Sequence, residues 1–491
     1  MSKRLTTEEL DSYLYSSADI LRDTIPGAEY QNYIFPLLFL KRISDVYEEE
    51  YAKASDMFDG VEALISRYKF SFSIPDGCRW KDLRSTTKDV GTKIIDMFDK
   101  IQTANPVLSG VFGNQNWANK EKLSDALLHD LVEHFSKFTL SMESCPEDEL
   151  GNAYEILLKR FADDGGNTAQ EFYTNRTVVR LMAEMLDPQT EESIYDPTCG
   201  TAGMLISSIY HVKKHKGEWR NMKAYGQEIT PLTASIAKTN LFLNGVKEFQ
   251  IASGDTLEHP AFIENDKLQQ FDIVLANPPY SISQWNRTAF EHDKYGRNFL
   301  GTPAQGCADY AFFQHIIKSM NPVTGRCAIL FPHGVLTRDE EDGMREKLVR
   351  EDLIECIIGI GKNLFYNCPM EACVIVCRMK KSPERKGKIL FIDAKHEVTR
   401  KNSFSFLEDK HINKIVSAYQ GFADVADFAH VADLNEIEGN KFKLGISKYV
   451  RHGGQDDDNI DLDDAIGEWM IVSDRLKGEV NALDSLLEVA Q

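Results

Sequence analysis

The stretch Phe271-Asp-Ile-Val-Leu-Ala-Asn277-Pro278-Pro279-Tyr280 decides how this chain is read. Its apolar, β-branched run meets two prolines. Proline has no ladder donor and a fixed φ, so the run reads as a buried strand forced to stop, with a rigid tip. An amide held at that tip, with an aromatic ring beside it, suits gripping a planar amine. The amide oxygen of Asn277 and the carbonyl of Pro278 would accept the amine's hydrogens while Tyr280 stacks on its face. Adenine N6 is such an amine, and because its lone pair is delocalised into the ring, it needs those hydrogen bonds to become nucleophilic enough to accept a methyl group. A plain turn after a strand would also use the two prolines, but it would not require the asparagine or the tyrosine.

Upstream, three more strand ends carry acids. Ser193-Ile-Tyr195 runs into Asp196-Pro-Thr-Cys-Gly200-Thr201-Ala202-Gly203 and an apolar helix from Met204 to Tyr210, the strand, glycine-bearing turn and helix that begin a doubly wound sheet. The turn lacks the full G-x-G-x-x-G of dinucleotide binders, so its weight comes from the strands downstream of it. A second strand, Ala224 to Glu228, ends where Rossmann-like folds hold a ribose. After a helix from Pro231 to Leu243, a third strand from Phe249 ends at Gly254-Asp255. Any one acid could be a helix cap or a surface residue. Asp196, Glu228 and Asp255 ahead of Asn277 form a series at the carboxyl edge of a parallel sheet, where ligands bind in open α/β folds. Before the first strand, Glu171-Phe172-Tyr173-Thr174-Asn175-Arg176 opens an amphipathic helix that ends at Asp187-Pro188, and capping by Thr174 or Asn175 accounts for that opening as well as ligand binding does.

Residues 1–142 read as helical, with Leu10, Leu14, Leu21 and Ile25 at helical spacing and a second apolar segment from Tyr33 to Val46. A helix over 151–161 comes next. Downstream of the proline turn, 281–308 is a long polar loop carrying Trp285, Arg287, Phe290, Lys294, Tyr295, Arg297 and Phe299, residue types suited to holding an extruded base and its strand. Helices at Tyr310–Met320 and Arg345–Arg350 and strands at Cys327–Phe331, Leu353–Gly359, Ala372–Arg378 and Lys388–Asp393 continue the alternation, with an antiparallel pair expected at the sheet edge. Past residue 400 the pattern loosens. The acidic runs near Asp456 and Asp461 read as a solvated linker to a last helix, where Trp469, Leu476 and Leu483 recur at intervals of seven, an arrangement suited to docking on a partner.

With 491 residues, two or three domains are expected. The balance of 56 Lys+Arg against 76 Asp+Glu, a formal charge of -20, opposes non-specific attraction to a polyanion, so work on nucleic acid would need a partner. Nine cysteines without a Cys-x-x-Cys pair fit reduced thiols, and the apolar run from Tyr33 to Leu40 is too short to span a bilayer. A cytoplasmic protein with no membrane contact is the expectation. His211 and His215 lie four apart, but the Glu of H-E-x-x-H is missing and no third ligand is evident, so no metal is expected. No Pro-Cys dipeptide occurs, which argues against a cysteine-nucleophile route to cytosine methylation.

Phe172-Tyr-Thr174, Asp196 to Gly203, Gly226-Gln-Glu228, Gly254-Asp-Thr-Leu257 and Asn277 to Tyr280, in that order, resemble the motif series of amino-methylating DNA methyltransferases of the γ arrangement. With Gly325-Arg-Cys-Ala-Ile-Leu-Phe-Pro-His-Gly-Val-Leu336, nearly the whole chain resembles the modification subunit of type I restriction-modification systems. Asn175 departs from the family's usual proline after Tyr-Thr, and Thr198-Cys199 from its usual small residues. The resemblance implies an α/β fold: a Rossmann-like S-adenosylmethionine-dependent methyltransferase sheet, a helical N-terminal domain (1–142), a catalytic domain (143–453) and a C-terminal helical tail for docking (454–491). It implies S-adenosylmethionine as methyl donor, with Glu228 on the ribose and Asp255 on the cofactor's adenine amine. Glu171, Phe172, Tyr173, Thr174, Asn175 and Arg176, with Asp196 and Gly200 to Gly203, would hold its methionine end. Asn277, Pro278, Pro279 and Tyr280 would form the catalytic turn. It further implies a specificity subunit, a restriction subunit, a second modification subunit and double-stranded DNA as partners. Two alternatives stay open: a protein-glutamine methyltransferase, which grips an amide nitrogen with the same motif, and a non-catalytic assembly subunit with a vestigial site.

Overall fold

The computed structural model describes residues 4–164, 174–215, 217–362, 364, 371–401, 404–451 and 473. Two compact units interleave along the chain: Met1–Tyr173 with Cys199–Ile206 and Gln227–Gly254, and Thr174–Thr198 with Ser207–Gly226 and Asp255–Gln491.

The first unit is built around the helix Gln31–Met57, whose residues from Tyr33 to Ser44 are all buried. A stretch buried on every face lies at the centre of a bundle. Its Arg42 is buried as well, and its guanidinium donates to the carbonyls of Leu140 (2.6 Å), Ser141 (2.9 Å) and Cys145 (2.7 Å), which satisfies a buried charge with backbone acceptors. The helices Val90–Ala104, Asp125–Phe135 and Glu147–Asp164 surround it. So does the helix Pro231–Leu243, found with the bounds expected from sequence: Ile236 and Leu243 join the helical core, and the Phe242 ring lies 5.6 Å from that of Phe39. Compactness thus groups Glu147–Asp164 and Pro231–Leu243 with the N-terminal helices, across the linear boundary expected at 142/143, because both bury apolar faces against them. No helix among the described residues is long and apolar enough to cross a membrane.

The strands are β1 (Ser193–Asp196), β2 (Lys223–Glu228), β3 (Phe249–Ser253), a small β4–β5 hairpin (Ile263–Glu264, Lys267–Leu268), β6 (Ile273–Ala276), β7 (Arg326–Pro332), β8 (Ile354–Ile360), β9 (Ala372–Arg378), β10 (Lys388–Ala394), a β11–β12 hairpin (Thr399–Lys401, Phe404–Phe406) and β13 (Ala429–Asp433). In the second unit β1 is parallel to both β2 and β6, and β6 is parallel to β7. In the first unit the ends of β2 and β3 meet, with the Gly254 N–H donating to the Glu228 carbonyl at 2.9 Å.

The fold qualifies three expectations. The expected antiparallel pair does close the sheet edge, as β10 with β13, and β10 pairs parallel with β8 on its other side; β9 lies inside the sheet, antiparallel to both β7 and β8. Its unbroken run Ala372 to Cys377 is buried on both faces, the mark of an interior strand. The region past residue 400 is not loose, since the helix Asp409–Gly421 buries Ile412, Ile415 and Tyr419 and leads into β13. Finally, the segment 281–308 is packed in part, while Arg287, Lys294, Tyr295 and Phe299 stay wholly or partly exposed. Trp285 and Phe290 form a core with Leu257, Ala308, Ala311 and Phe312, and Arg297 is buried, paired with Asp293 and donating to the Thr256 and Leu257 carbonyls. The acidic linker and the helix carrying Trp469, Leu476 and Leu483 lie outside the described residues.

Candidate active site

In the second unit, β6 ends at Ala276 and the two prolines hold the next turn, with Pro278 buried and Asn277 and Tyr280 half-buried. The Asn277 amide is clamped at both ends: its Nδ2 donates to Thr174 Oγ1 at 3.0 Å, and the Tyr280 hydroxyl donates to its Oδ1 at 2.8 Å. Those two bonds decide which way the amide points, and a carbonyl-type oxygen keeps a second lone pair for an acceptor's N–H. Tyr280 therefore orients the asparagine through its hydroxyl. Thr174 joins the site through a hydrogen bond that spans 103 residues of chain.

The backbone leaving this turn is forced into an uncommon conformation. Ser281 has φ +50, the left-handed region that few side chains adopt without help. The help is the buried carboxylate of Asp309, whose Oδ1 accepts the Ser281 N–H at 2.7 Å. Arg338 donates to the other oxygen of Asp309 at 2.8 Å and to Glu341 Oε1 at 3.1 Å. Burial pushes the Glu341 carboxyl up to about 7 even beside Arg338, and Asp309 adds to the rise. Neither Asp309, Arg338 nor Glu341 carries a sequence signal of this role, because each reads locally as part of a helix end or a polar turn.

Asp196, buried at the end of β1, accepts from the Thr198 N–H at 3.0 Å, which shapes the turn after it, and Thr256 Oγ1 donates to the Pro197 carbonyl at 2.6 Å. Asp255 accepts from the Leu257 and Glu258 N–H groups at 2.7 and 3.1 Å, both on Oδ1. Asn175 caps the helix Arg176–Leu186. Its oxygen accepts from the Thr177 N–H at 3.0 Å and its Nδ2 donates to the Ser405 carbonyl at 3.0 Å, so the side chain has a structural task at both ends. Glu171, Phe172 and Tyr173 lie outside the described residues.

In the first unit, the turn after β1 has Gly200 at φ +51 and Ala202 at φ +66, and the helix Gly203–Lys214 begins directly behind it. Glu228, buried at the end of β2, holds this turn: its Oε2 accepts from the Gly200 N–H at 3.1 Å and its Oε1 from the Thr230 N–H at 2.9 Å. Burial raises its pKa, against the pull of those two N–H groups. Asn240 donates to the Thr201 carbonyl at 2.8 Å. These parts fit S-adenosylmethionine. A left-handed glycine turn lets backbone approach a ligand, and each Glu228 oxygen keeps a lone pair for one hydroxyl of a ribose. Glu228→Ala is therefore expected to weaken S-adenosylmethionine by roughly 1–3 kcal/mol, the cost of losing a hydrogen bond to a charged group. Calorimetric titration measures this, and an unchanged affinity would move the ribose contact elsewhere.

The family described as N-6 DNA Methylase matches residues 146–458, and the HsdM N-terminal domain matches residues 10–135. The type I restriction enzyme MjaVII methylase subunit of Methanocaldococcus jannaschii is 30% identical over 99% of this chain and 84% of its own length. The HindI methylase subunit of Haemophilus influenzae is 29% identical over 79% of this chain and 92% of its own. Among solved structures, the type I restriction-modification methyltransferase subunit of Streptococcus thermophilus superposes with a TM-score of 0.78 at 26% identity, covering 91% of this chain and all of that one.

Proposed function

The chain belongs to the N-6 DNA methylase family as the methylase subunit of a type I restriction-modification system, and from that premise we propose how its residues transfer a methyl group to adenine N6 in DNA. The observation that carries the proposal is the doubly clamped Asn277 amide, whose oxygen is oriented to accept a hydrogen of a planar amine. An adenine extruded from the helix enters this turn. Asn277 Oδ1 and the Pro278 carbonyl accept its N6 hydrogens, which draws electron density onto the nitrogen and keeps its lone pair aimed along one line. Tyr280 covers the base with its ring while its hydroxyl keeps the amide from rotating. S-adenosylmethionine, when bound, supplies a methyl already activated on a sulfonium. Glu228 holds its ribose, Asp255 its adenine amine, and Asp196 with the segments 171–176 and 200–203 its methionine end. No metal takes part in this transfer.

The matched family supports an adenine acceptor over the amide of a protein glutamine. Residues 1–142 serve assembly, 143–453 the chemistry, and 454–491 docking. A separate specificity subunit selects the sequence, a second methylase subunit completes the modifying complex, and a restriction subunit joins it for cleavage, all in the cytoplasm on double-stranded DNA. The formal charge of -20 leaves the isolated chain poorly suited to hold DNA. It is therefore expected to bind DNA weakly and without sequence preference in a gel-shift assay at physiological salt. The chain co-purified with the neighbouring gene products is expected to place N6-methyladenine at one sequence, read by modification-sensitive sequencing. Tight, selective binding by the chain alone, or a complex that leaves adenine unmodified, would contradict the proposal.

A further inference from the structure

Two side-chain clusters among the described residues bring three groups of metal-ligand type within 4.8 Å: Cys307, Asp309 and Glu341, and Glu184, His211 and His215. The first is filled by the Arg338 guanidinium, which leaves no room or charge for a cation. The second is not. The two histidines lacked a third ligand in sequence, and the fold provides one in Glu184, from the helix Arg176–Leu186, beside the end of the helix Gly203–Lys214.

Each ring has one nitrogen engaged with an oxygen acceptor. His211 Nε2 is 3.0 Å from Asp187 Oδ1, an acceptor, so Nε2 donates there and Nδ1 is the nitrogen free to take a ligand bond. That Nδ1 faces Glu184 Oε2 at 3.6 Å. His215 Nδ1 is 2.9 Å from the His211 backbone carbonyl, so it is the donor there and Nε2 is the nitrogen turned away from that bond. A carboxylate or carbonyl holding one ring nitrogen so that the other can coordinate is the usual support of metal-bound histidines. Two imidazoles and a carboxylate are a donor set for zinc, whose ligands lie about 2.0–2.2 Å from the ion and hence roughly 3.3 Å from one another. The His211 to Glu184 separation is already close to that, and His215, exposed just past the helix end, has a ring nitrogen within 4.8 Å of the other two donor atoms. The competing cations, Lys214 at 3.5 Å and Arg180 at 3.7 Å, sit on the opposite oxygen, Oε1.

We propose that Glu184, His211 and His215 bind one zinc-class dication, with water in the fourth position and Asp187 as the support of His211. The ion ties the C-terminal turn of Arg176–Leu186 to that of Gly203–Lys214 and acts on stability, outside the methyl-transfer step. The test uses the full chain without a polyhistidine tag, stripped with a chelator. Cobalt is expected to bind with one equivalent and the visible absorption of a four-coordinate ion, zinc to displace it, and zinc to raise the unfolding temperature. His215→Ala, an exposed change that leaves the fold intact, is expected to weaken zinc by more than about tenfold, and Asp187→Asn by about 10- to 100-fold. Absence of stoichiometric cobalt binding overturns the proposal. So does binding that His215→Ala leaves unchanged, which would assign the metal to the cysteines.

Discussion

Asn277→Ala is expected to abolish methyl transfer, a loss on the order of a thousand-fold or more in kcat, while S-adenosylmethionine binds with unchanged affinity. Removing one preorganised hydrogen-bonding group typically costs a hundred- to a thousand-fold, and in the proposed mechanism the lost oxygen is also the group that makes the amine nucleophilic. The side chain sits at the end of β6 and is bonded to Thr174 and Tyr280. Under the proposed mechanism this side chain faces the acceptor amine and not the sulfonium, and Glu228 and the Gly200 turn make no hydrogen bond that depends on it, so cofactor affinity should survive. Asn277→Asp refines the test. It keeps an acceptor beside Tyr280, and the Thr174 hydroxyl can rotate to donate where it now accepts, so measurable activity is expected to remain. Single-turnover transfer to adenine, with calorimetry of the cofactor in parallel, separates the two effects. Equal loss of both would sink the assignment of Asn277 to the acceptor.

Arg338→Met should destabilise the protein by about 3–5 kcal/mol, because it leaves buried carboxylates without their counter-charge. Asp309 is fully buried and Glu341 nearly so, and Arg338 is bonded to both. The effect should reach the chemistry as well, since Asp309 also holds the Ser281 N–H that lets the chain leave Tyr280 at φ +50. Urea unfolding measures the first effect, and kcat at a temperature where the variant stays folded measures the second. A variant of parental stability would show that the carboxylates are neutralised some other way. The sign of the pH dependence is set by Glu341. Its carboxyl is raised by burial to about 7, above its unfolded value, so the folded state holds a proton that the unfolded chain releases. Its contribution is therefore present in full below about pH 4.5 and is lost as pH rises through about 7. Glu341→Gln should flatten that decline.

The parallel core of the sheet, the helix Pro231–Leu243 and the proline turn were all legible in the sequence, because each is specified locally. Unbroken apolar runs such as Ile273 to Ala276 make buried strands, and two prolines stop one whatever surrounds it. The acids at the ends of β1 and β2 and beyond β3 were legible too, since a strand end running into a turn is written in consecutive residues. What those ends touch was settled by the folded chain alone. The clamp of Thr174 on Asn277, the support of Ser281 by Asp309 and Arg338, and the bond between Asp187 and His211 join residues 24 to 103 positions apart. The place of β9 inside the sheet and the burial of Arg297 were likewise decided by long-range packing. A hydrogen bond or an ion pair leaves no periodicity in the chain, and its partner is chosen by which strands and helices the core brings together, so residues that look like surface polar groups in the sequence became the internal supports of the site.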